Sequence, residues 1–114
     1  MINKGEVLLI TSDKLGHGDD ELGSILMKSF INVIAVGSKL PEKVIFYNSA
    51  VNLTLKDTPC IEDLKNLEEN GTEIFVCGTC ADYYNIKEKM AAGKISNMKT
   101  IAEILQNAVK IIKP

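Results

Sequence analysis

Four short runs of apolar, mostly β-branched residues constrain this chain more than any other feature of its sequence. The runs cover residues 7–10, 44–47, 74–76 and 109–112, and residues 94–96 form a weaker fifth. Three of the four are almost continuously apolar, which is typical of strands that are covered on both faces of a parallel sheet. The sequence therefore predicts a mainly parallel sheet of about five strands.

Two segments with helical periodicity lie between the first three runs. In the first, acidic residues stand at the start and Gly37 at the end, as expected for a helix. Its apolar residues are Leu22, Ile25, Leu26, Phe30, Val33 and Ile34. In the second, Thr58 is predicted to cap the helix and Pro59 to occupy its first position. Its apolar face consists of Ile61, Leu64 and Leu67.

The second half of the chain contains two more helical segments. A third helix is predicted over residues 83–90, and a fourth over residues 98–106 with Ser96 or Asn97 as its cap. The inward residues of the fourth are predicted to be Met98, Ile101, Ala102 and Leu105. Residues 50–55 fit either a short strand or a loop. The alternation of strand and helix predicts a single α/β domain over residues 1–114, folded as a three-layer α/β/α sandwich.

Charge and hydropathy exclude several classes of function. All 13 basic residues are lysines and the net charge is −2, so a phosphate-neutralising face for nucleic acid is disfavoured. No apolar run approaches the roughly 18 residues that span a bilayer, and residues 1–5 do not resemble a secretory leader. The sequence predicts a cytoplasmic protein with three reduced cysteines and no interaction with membranes.

The predicted sheet brings certain polar residues together. In a parallel sheet every strand-to-helix turn leaves at the same edge, and ligands bind there. The turns at this edge contain Ser12, Asp13, Gly16, His17, Asn48, Ser49, Cys77, Cys80 and Asn97, whereas the turns at the far edge carry little chemistry. We therefore predict one functional edge.

A Cys-x-x-C motif, Cys77–Gly78–Thr79–Cys80, is the most reactive feature of that edge. A thiol near a helix N-terminus is stabilised as thiolate, which can lower its pKa from about 8.5 towards about 7. Asp82 opposes this effect. A nucleophilic thiol is therefore one prediction for this motif.

Four interpretations of the motif remain open. Zinc would need four ligands, and only Cys60 and His17 could complete the set, without ligand spacing; no metal is predicted. The motif could form a thioredoxin-like dithiol or carry sulfur as a persulfide. The simplest alternative is a tight turn with two half-buried thiols. His17 is a candidate base or a solvated loop residue, and Cys60 is expected in the core.

The glycines of the first turn do not form a convincing cofactor site. Gly16 and Gly18 lie between a strand and a helix, as in dinucleotide-binding proteins, but Glu21 stands where the third glycine is expected. Three carboxylates also stand where a phosphate would bind. No cofactor is predicted.

Four segments together resemble the DsrE/DsrF-like family, and most of all the C-terminal domain of YedF-type proteins, which are sulfurtransferase-like proteins of selenium metabolism. They are residues 11–23, residues 46–49, residues 76–84 with the Cys-Gly-Thr-Cys motif, and residues 96–98. YedF-type proteins usually begin with a TusA-like domain that bears a Cys-Pro motif, which this sequence does not contain.

The resemblance implies a DsrE-like fold, homo-oligomerisation and relay of sulfur or selenium between donor and acceptor proteins, among which a TusA-like domain is one candidate. It implies that Cys77 is the acceptor and that Cys80 assists or resolves. The alternatives are a non-catalytic oligomeric subunit that binds a small ligand or a partner, and a thiol redox switch.

Overall fold

A five-stranded sheet forms the centre of the computed structural model, which describes residues 1–114. The strands are β1 (Ile2–Ile10), β2 (Leu40–Phe46), β3 (Glu73–Cys77), β4 (Lys94–Ser96) and β5 (Lys110–Ile112). They are arranged in the order β4-β3-β2-β1-β5, and every pairing is parallel. All five predicted strands are confirmed. β1, β2 and β3 begin before their apolar runs, β4 has the predicted bounds, and β5 begins one residue later than its run, at Lys110.

Four α-helices cover both faces of the sheet. They are α1 (Asp20–Ala35), α2 (Ile61–Glu69), α3 (Gly78–Tyr83) and α4 (Met98–Asn107), and short 3₁₀ helices occupy Asn48–Thr54 and Lys87–Lys89. Buried residues of α1, α2 and α3 join one hydrophobic cluster, and Ile101 of α4 joins a second cluster on the opposite face. The predicted α/β/α sandwich is therefore confirmed.

The middle strand β2 connects these two clusters. Val44, Ile45 and Phe46 have no exposed surface. Because side chains alternate along a strand, Val44 and Phe46 belong to the larger cluster and Ile45 belongs to the smaller one. This double coverage explains why the sequence of the strand is continuously apolar.

The structure corrects two predicted helices. The second helix begins at Ile61 with Cys60 at the capping position, and the Thr58 hydroxyl instead donates to the carbonyls of Leu53 and Leu55. The third begins directly after Cys77 and ends at Tyr83, not at Met90. Both errors arise in short helices, which contain too few turns for an apolar period to define their ends. The ambiguous segment 50–55 lies mainly in the 3₁₀ helix Asn48–Thr54.

The buried faces of α1 and α4 also differ from the predicted ones. In α1 the buried residues are Gly23, Met27, Ile31 and Ala35, whereas most of the apolar residues that predicted the helix are exposed. In α4, Ile101 is buried, but Met98 and Ala102 are exposed. Asn97 caps α4 as predicted, since its side chain accepts from the Thr100 N–H at 2.9 Å.

None of these helices combines the length and the hydrophobicity needed to traverse a lipid bilayer.

Truncation of Phe46 tests the central role of β2. We expect Phe46→Ala to lower the free energy of unfolding by about 3–5 kcal/mol, because it leaves a cavity in the larger cluster. The matched control is Val109→Ala, whose side chain is exposed and whose loss should change stability by less than about 0.5 kcal/mol. Urea unfolding followed by circular dichroism measures both values, and similar losses in the two variants would contradict this account of the core.

Candidate functional site

The carboxyl edge of the sheet assembles three of the predicted turns around one sulfur atom. Because β1, β2 and β3 are parallel neighbours, the turns that begin after Ile10, Phe46 and Cys77 lie side by side. Ser12 lies on the turn after β1, and Asn48 and Ser49 lie on the turn after β2. Cys80 lies in the first helical turn of α3, which follows β3 directly. The sulfur of Cys80 is the atom at which the second and third turns meet.

Cys77 and Cys80 occupy different environments, although only two residues separate them. Cys77 is the last residue of β3 and is 2% exposed, and it belongs to the smaller cluster with Phe75 and Ile101. Cys80 is half-buried and packs against both clusters. The second cysteine of the motif is therefore the one that is open to solvent.

Cys60, the third cysteine, is a core residue, as the sequence predicts. It is buried in the larger cluster, and burial raises the pKa of its thiol.

A backbone hydrogen bond positions the sulfur of Cys80. The N–H of Asn48 donates to Cys80 Sγ at 3.0 Å. Asn48 has a φ of 55°, in the left-handed region that asparagine tolerates better than most residues. The turn after β2 thus presents a donor to the thiol of the neighbouring turn.

Burial determines the acidity of this thiol. It raises the pKa of Cys80, the Asn48 N–H acts in the opposite direction, and the neighbouring Cys77 raises the pKa further through hydrogen bonding and charge repulsion. The predicted lowering by a helix N-terminus therefore does not hold for Cys80. The helix has only six residues, and a half-buried thiolate loses part of its hydration.

A chain of hydrogen bonds connects four predicted site residues behind Cys80. The Oδ1 of Asn48 accepts from the Ser49 N–H at 2.8 Å. The hydroxyl of Ser49 accepts from the Asp13 N–H at 3.1 Å and lies 3.5 Å from the hydroxyl of Ser12. Ser12 in turn accepts from the Lys14 N–H at 3.0 Å. These contacts fix the turns after β1 and β2 relative to each other and hence to the sulfur.

Three further predicted residues lie at the same edge without joining this chain. Gly16 and His17 are exposed in the loop before α1, and His17 makes no hydrogen bond to another residue. Asn97 is engaged in capping α4. Their roles at the site stay predictions.

An open pocket of about 370 Å³ lies beside Cys80. It is lined by Asn48, Thr79, Cys80, Tyr83 and Tyr84. The two tyrosine rings pack edge to face with centroids 5.2 Å apart, and the Tyr84 hydroxyl lies 3.5 Å from Asn48 Oδ1. Tyr83 is 83% exposed, so the pocket presents an aromatic surface next to the thiol.

Neither Thr79 nor the two tyrosines were among the predicted site residues. A signal was present, since two adjacent tyrosines follow the Cys-x-x-C motif directly. The misplaced start of α3 concealed it, because a helix over residues 83–90 would carry the tyrosines away from the cysteines.

The structure contains no group of three or more His, Cys, Asp or Glu side chains that could hold a metal ion.

The fold defines the chain as a small α/β sandwich protein with an all-parallel sheet of five strands. Within that class the chain belongs to the DsrE/DsrF-like family, which matches residues 9–114. No curated protein matches the chain.

Solved structures share the fold over nearly the whole chain. One is a protein of unknown function, MTH1491 from Methanobacterium thermoautotrophicum, with a TM-score of 0.66, 21% identity, and coverage of 96% of this chain and 97% of that one. A second is the ychN protein from E. coli (TM-score 0.65, 14% identity, coverage of 96% and 98%). A third is BT1422 from Bacteroides thetaiotaomicron (TM-score 0.63, 16% identity, coverage of 96% and 95%). At these identities the likeness establishes the fold.

The environment of Cys80 predicts a distinct pH profile for its alkylation. The midpoint of the iodoacetamide reaction at Cys80 should lie above the ordinary thiol pKa of about 8.5, because burial disfavours the thiolate. In Cys77→Ala the midpoint should fall, because the neighbouring sulfur no longer raises the pKa of Cys80. Peptide mass spectrometry at a series of pH values assigns the modified cysteine. A midpoint at or below about 8.5 in the unmodified chain would contradict the described environment.

Proposed function

We propose that this protein relays sulfur, or its heavier analogue selenium, by carrying it as a persulfide on the Cys77–Cys80 motif. Members of the DsrE-like family are commonly linked to sulfur relay. The observation that carries the proposal is the half-buried Cys80 sulfur, which accepts the Asn48 N–H at 3.0 Å beside an open pocket. The donors and acceptors would be other proteins, and a TusA-like domain is one candidate.

We assign the acceptor role to Cys80 and not to Cys77. The sequence resemblance implies the opposite assignment, but a sulfur donor has to reach the thiol, and Cys77 is 2% exposed. Cys80 opens into the pocket that Thr79, Tyr83 and Tyr84 line. The role of Cys77 is then that of a resolving thiol directly behind the carrier.

A high thiol pKa suits a carrier that must hold its sulfur. When an acceptor thiolate attacks the outer sulfur of the persulfide, the bond between the two sulfurs breaks and the Cys80 thiolate leaves. A thiolate of high pKa is a poor leaving group and a strong nucleophile. Burial of Cys80 thus favours loading by the ionised fraction and slows unassisted loss of the outer sulfur. A docked acceptor can reverse this effect by adding hydrogen bonds to the leaving thiolate.

Two residues behind the sulfur would set the lifetime of the loaded state. The Asn48 N–H can remain a donor to the persulfide, which is a stronger acid than the thiol and carries more negative charge at neutral pH. Cys77 can remove the outer sulfur from the persulfide. Attack of the Cys77 thiolate on Cys80 Sγ forms a Cys77–Cys80 disulfide and releases the outer sulfur as hydrosulfide, and a thiol reductant then restores both cysteines.

Loading with a small persulfide donor tests the carrier role. The reduced chain should gain the mass of one sulfur atom, Cys77→Ser should still gain it, and Cys80→Ser should not. Cys60→Ser is the matched control for loss of a thiol and should load normally, because Cys60 is buried away from the pocket. Loading of Cys80→Ser together with failure of Cys77→Ser would return the acceptor role to Cys77. Absence of loading in the unmodified chain would reject the proposal.

The resolving role of Cys77 predicts how the persulfide decays. Without an acceptor, the loaded chain should release hydrosulfide and accumulate one disulfide in equal amounts. Loaded Cys77→Ser should keep its persulfide several-fold longer and form no intramolecular disulfide. Hydrosulfide is measured by a fluorescent probe and the disulfide by peptide mass spectrometry. Equal lifetimes in the two proteins would show that Cys77 does not resolve.

A second candidate function follows from the same pKa. A thiol that is largely protonated at neutral pH is also what a non-catalytic subunit would contain, with the pocket beside Tyr83 and Tyr84 holding a small ligand. Such a subunit would take up no sulfur in the loading experiment.

A redox switch would form the Cys77–Cys80 disulfide in glutathione buffers without any persulfide donor.

A further inference from the structure

The pocket beside Cys80 is uncharged. Its lining side chains are Asn48, Thr79, Cys80, Tyr83 and Tyr84. In sequence Asp82 lies between these residues, but its carboxylate pairs with Lys87 Nζ at 2.8 Å and lines a separate pocket. Because 25% of the residues in the chain are charged, a neutral surface around the accessible thiol restricts the kind of molecule that the thiol meets.

Tyr83 contributes little to the fold. The residue is 83% exposed, and it belongs to neither hydrophobic cluster. Its ring packs edge to face on that of Tyr84, with the centroids 5.2 Å apart. Tyr84, in contrast, is 36% exposed, and its hydroxyl lies 3.5 Å from Asn48 Oδ1. The exposed ring of Tyr83 is therefore free to contact a molecule that approaches the thiol.

Uptake of sulfur brings negative charge into this pocket. The Cys80 thiolate attacks the outer sulfur of a donor persulfide, a bond forms between Sγ and that sulfur, and the bond between the donor's two sulfurs breaks. The outer sulfur keeps its proton, and the donor leaves as a thiolate. During the transfer the negative charge is shared between Cys80 and the departing sulfur. The Asn48 N–H donates to Sγ, but no cationic side chain lines the pocket to offset a second negative charge.

Donors that carry carboxylates near their sulfur are therefore at a disadvantage. Two like charges about 8 Å apart slow such a transfer by roughly two- to tenfold, with the larger effect where the dielectric constant is low. Glutathione persulfide has more carboxylate than ammonium groups and is an anion. A cysteine persulfide within a segment of uncharged residues has no charge next to its sulfur, and the neighbouring side chains can pack on an aromatic ring.

We propose that this pocket selects its sulfur donors by charge, with Tyr83 as the specificity-determining residue. It takes sulfur from a persulfide in an uncharged segment in preference to an anionic persulfide such as that of glutathione. This selection rests on the proposed relay at Cys80. The ring of Tyr83 gives an uncharged donor a surface on which to pack. It also occupies the position from which a lysine could attract a carboxylate, and no lining residue is basic.

Sulfur transfer from two small donors tests the selection by charge. The donors are glutathione persulfide, which is anionic, and the persulfide of N-acetylcysteine amide, which is neutral. The initial rate of sulfur uptake, followed by intact mass, is divided by the rate of the same donor with 2-mercaptoethanol, so that differences in intrinsic reactivity cancel. The neutral donor should have a normalised rate about two- to tenfold higher, and the ratio should fall as salt is added. Equal normalised rates would overturn the selection and leave the relay intact.

Substitutions at Tyr83 test its role. In Tyr83→Lys the new ammonium group would lie beside the thiol, so glutathione persulfide should gain about two- to tenfold on the neutral donor. Tyr83→Phe keeps the ring and should keep the selection. Val109→Lys is the matched control, because it adds the same charge at an exposed residue whose N–H donates to the Gly5 carbonyl, away from the carboxyl edge. Circular dichroism checks that the variants are folded. A shift of the same size in Val109→Lys would show that net charge, and not Tyr83, sets the ratio.

Alkylation tests the same property without any persulfide. Iodoacetamide and iodoacetate have the same reacting carbon and nearly the same size, but only iodoacetate is charged. Peptide mass spectrometry should show that Cys80 favours iodoacetamide by a larger factor than 2-mercaptoethanol does, and Tyr83→Lys should reduce that excess. Equal factors for the two thiols would overturn the selection whether or not the chain carries sulfur. A chain that shows the excess but takes up sulfur from neither donor would reject the relay, and with it the selection of sulfur donors.

Discussion

The packing of β2 between two hydrophobic clusters is the constraint on which the rest of this structure depends. Because Val44, Ile45 and Phe46 are fully buried, the strand has no freedom to shift along its neighbours. A slip of one residue would exchange the two faces and place Ile45 in the wrong cluster. The register of β2 against β3 therefore determines where the turn after β2 emerges. That turn carries Asn48, and its N–H reaches the sulfur of a residue on the neighbouring turn.

The chemical character of the site follows from this register more than from any single side chain. The motif has two thiols, and strand alternation decides which one is available. Cys77 lies two residues after Phe75 and so points to the same face, beneath α4. Cys80 lies beyond the strand and escapes that burial. The first cysteine of the motif is therefore the buried one, and the second is the one that solvent reaches.

The sequence predicted the strands, and it predicted the edge at which the polar turns lie together, because both depend on strong local signals. Apolar runs define buried strands, and parallel pairing places every following turn at one edge. For Asn48, Ser49 and Ser12 the sequence predicted only that they lie close together. The hydrogen bond from the Asn48 N–H to the sulfur depends on a φ of 55° at Asn48, which no local sequence pattern requires. The relative burial of Cys77 and Cys80 depends on where β3 ends and α3 begins. Cys77 is the last residue of β3, as the sequence predicts, but the helix was predicted to begin only at Tyr83 and begins at Gly78. Tyr83 and Tyr84 were missed with that error.

For α1 the sequence predicted the helix correctly but predicted the wrong residues for its buried face. The apolar residues from which α1 was predicted belong to two different faces of the helix. Together they show the same average period as the apolar residues of one broad face would. A spacing of four positions satisfies contact with a sheet, and alternating spacings of four and three satisfy contact with another helix. Only the structure separates the two sets, because it shows that Phe30 and Ile34 pack against the larger cluster while Val33 is exposed. The apolar residues of a helix in a small domain thus do not by themselves tell which of them meet the core and which stay on the surface.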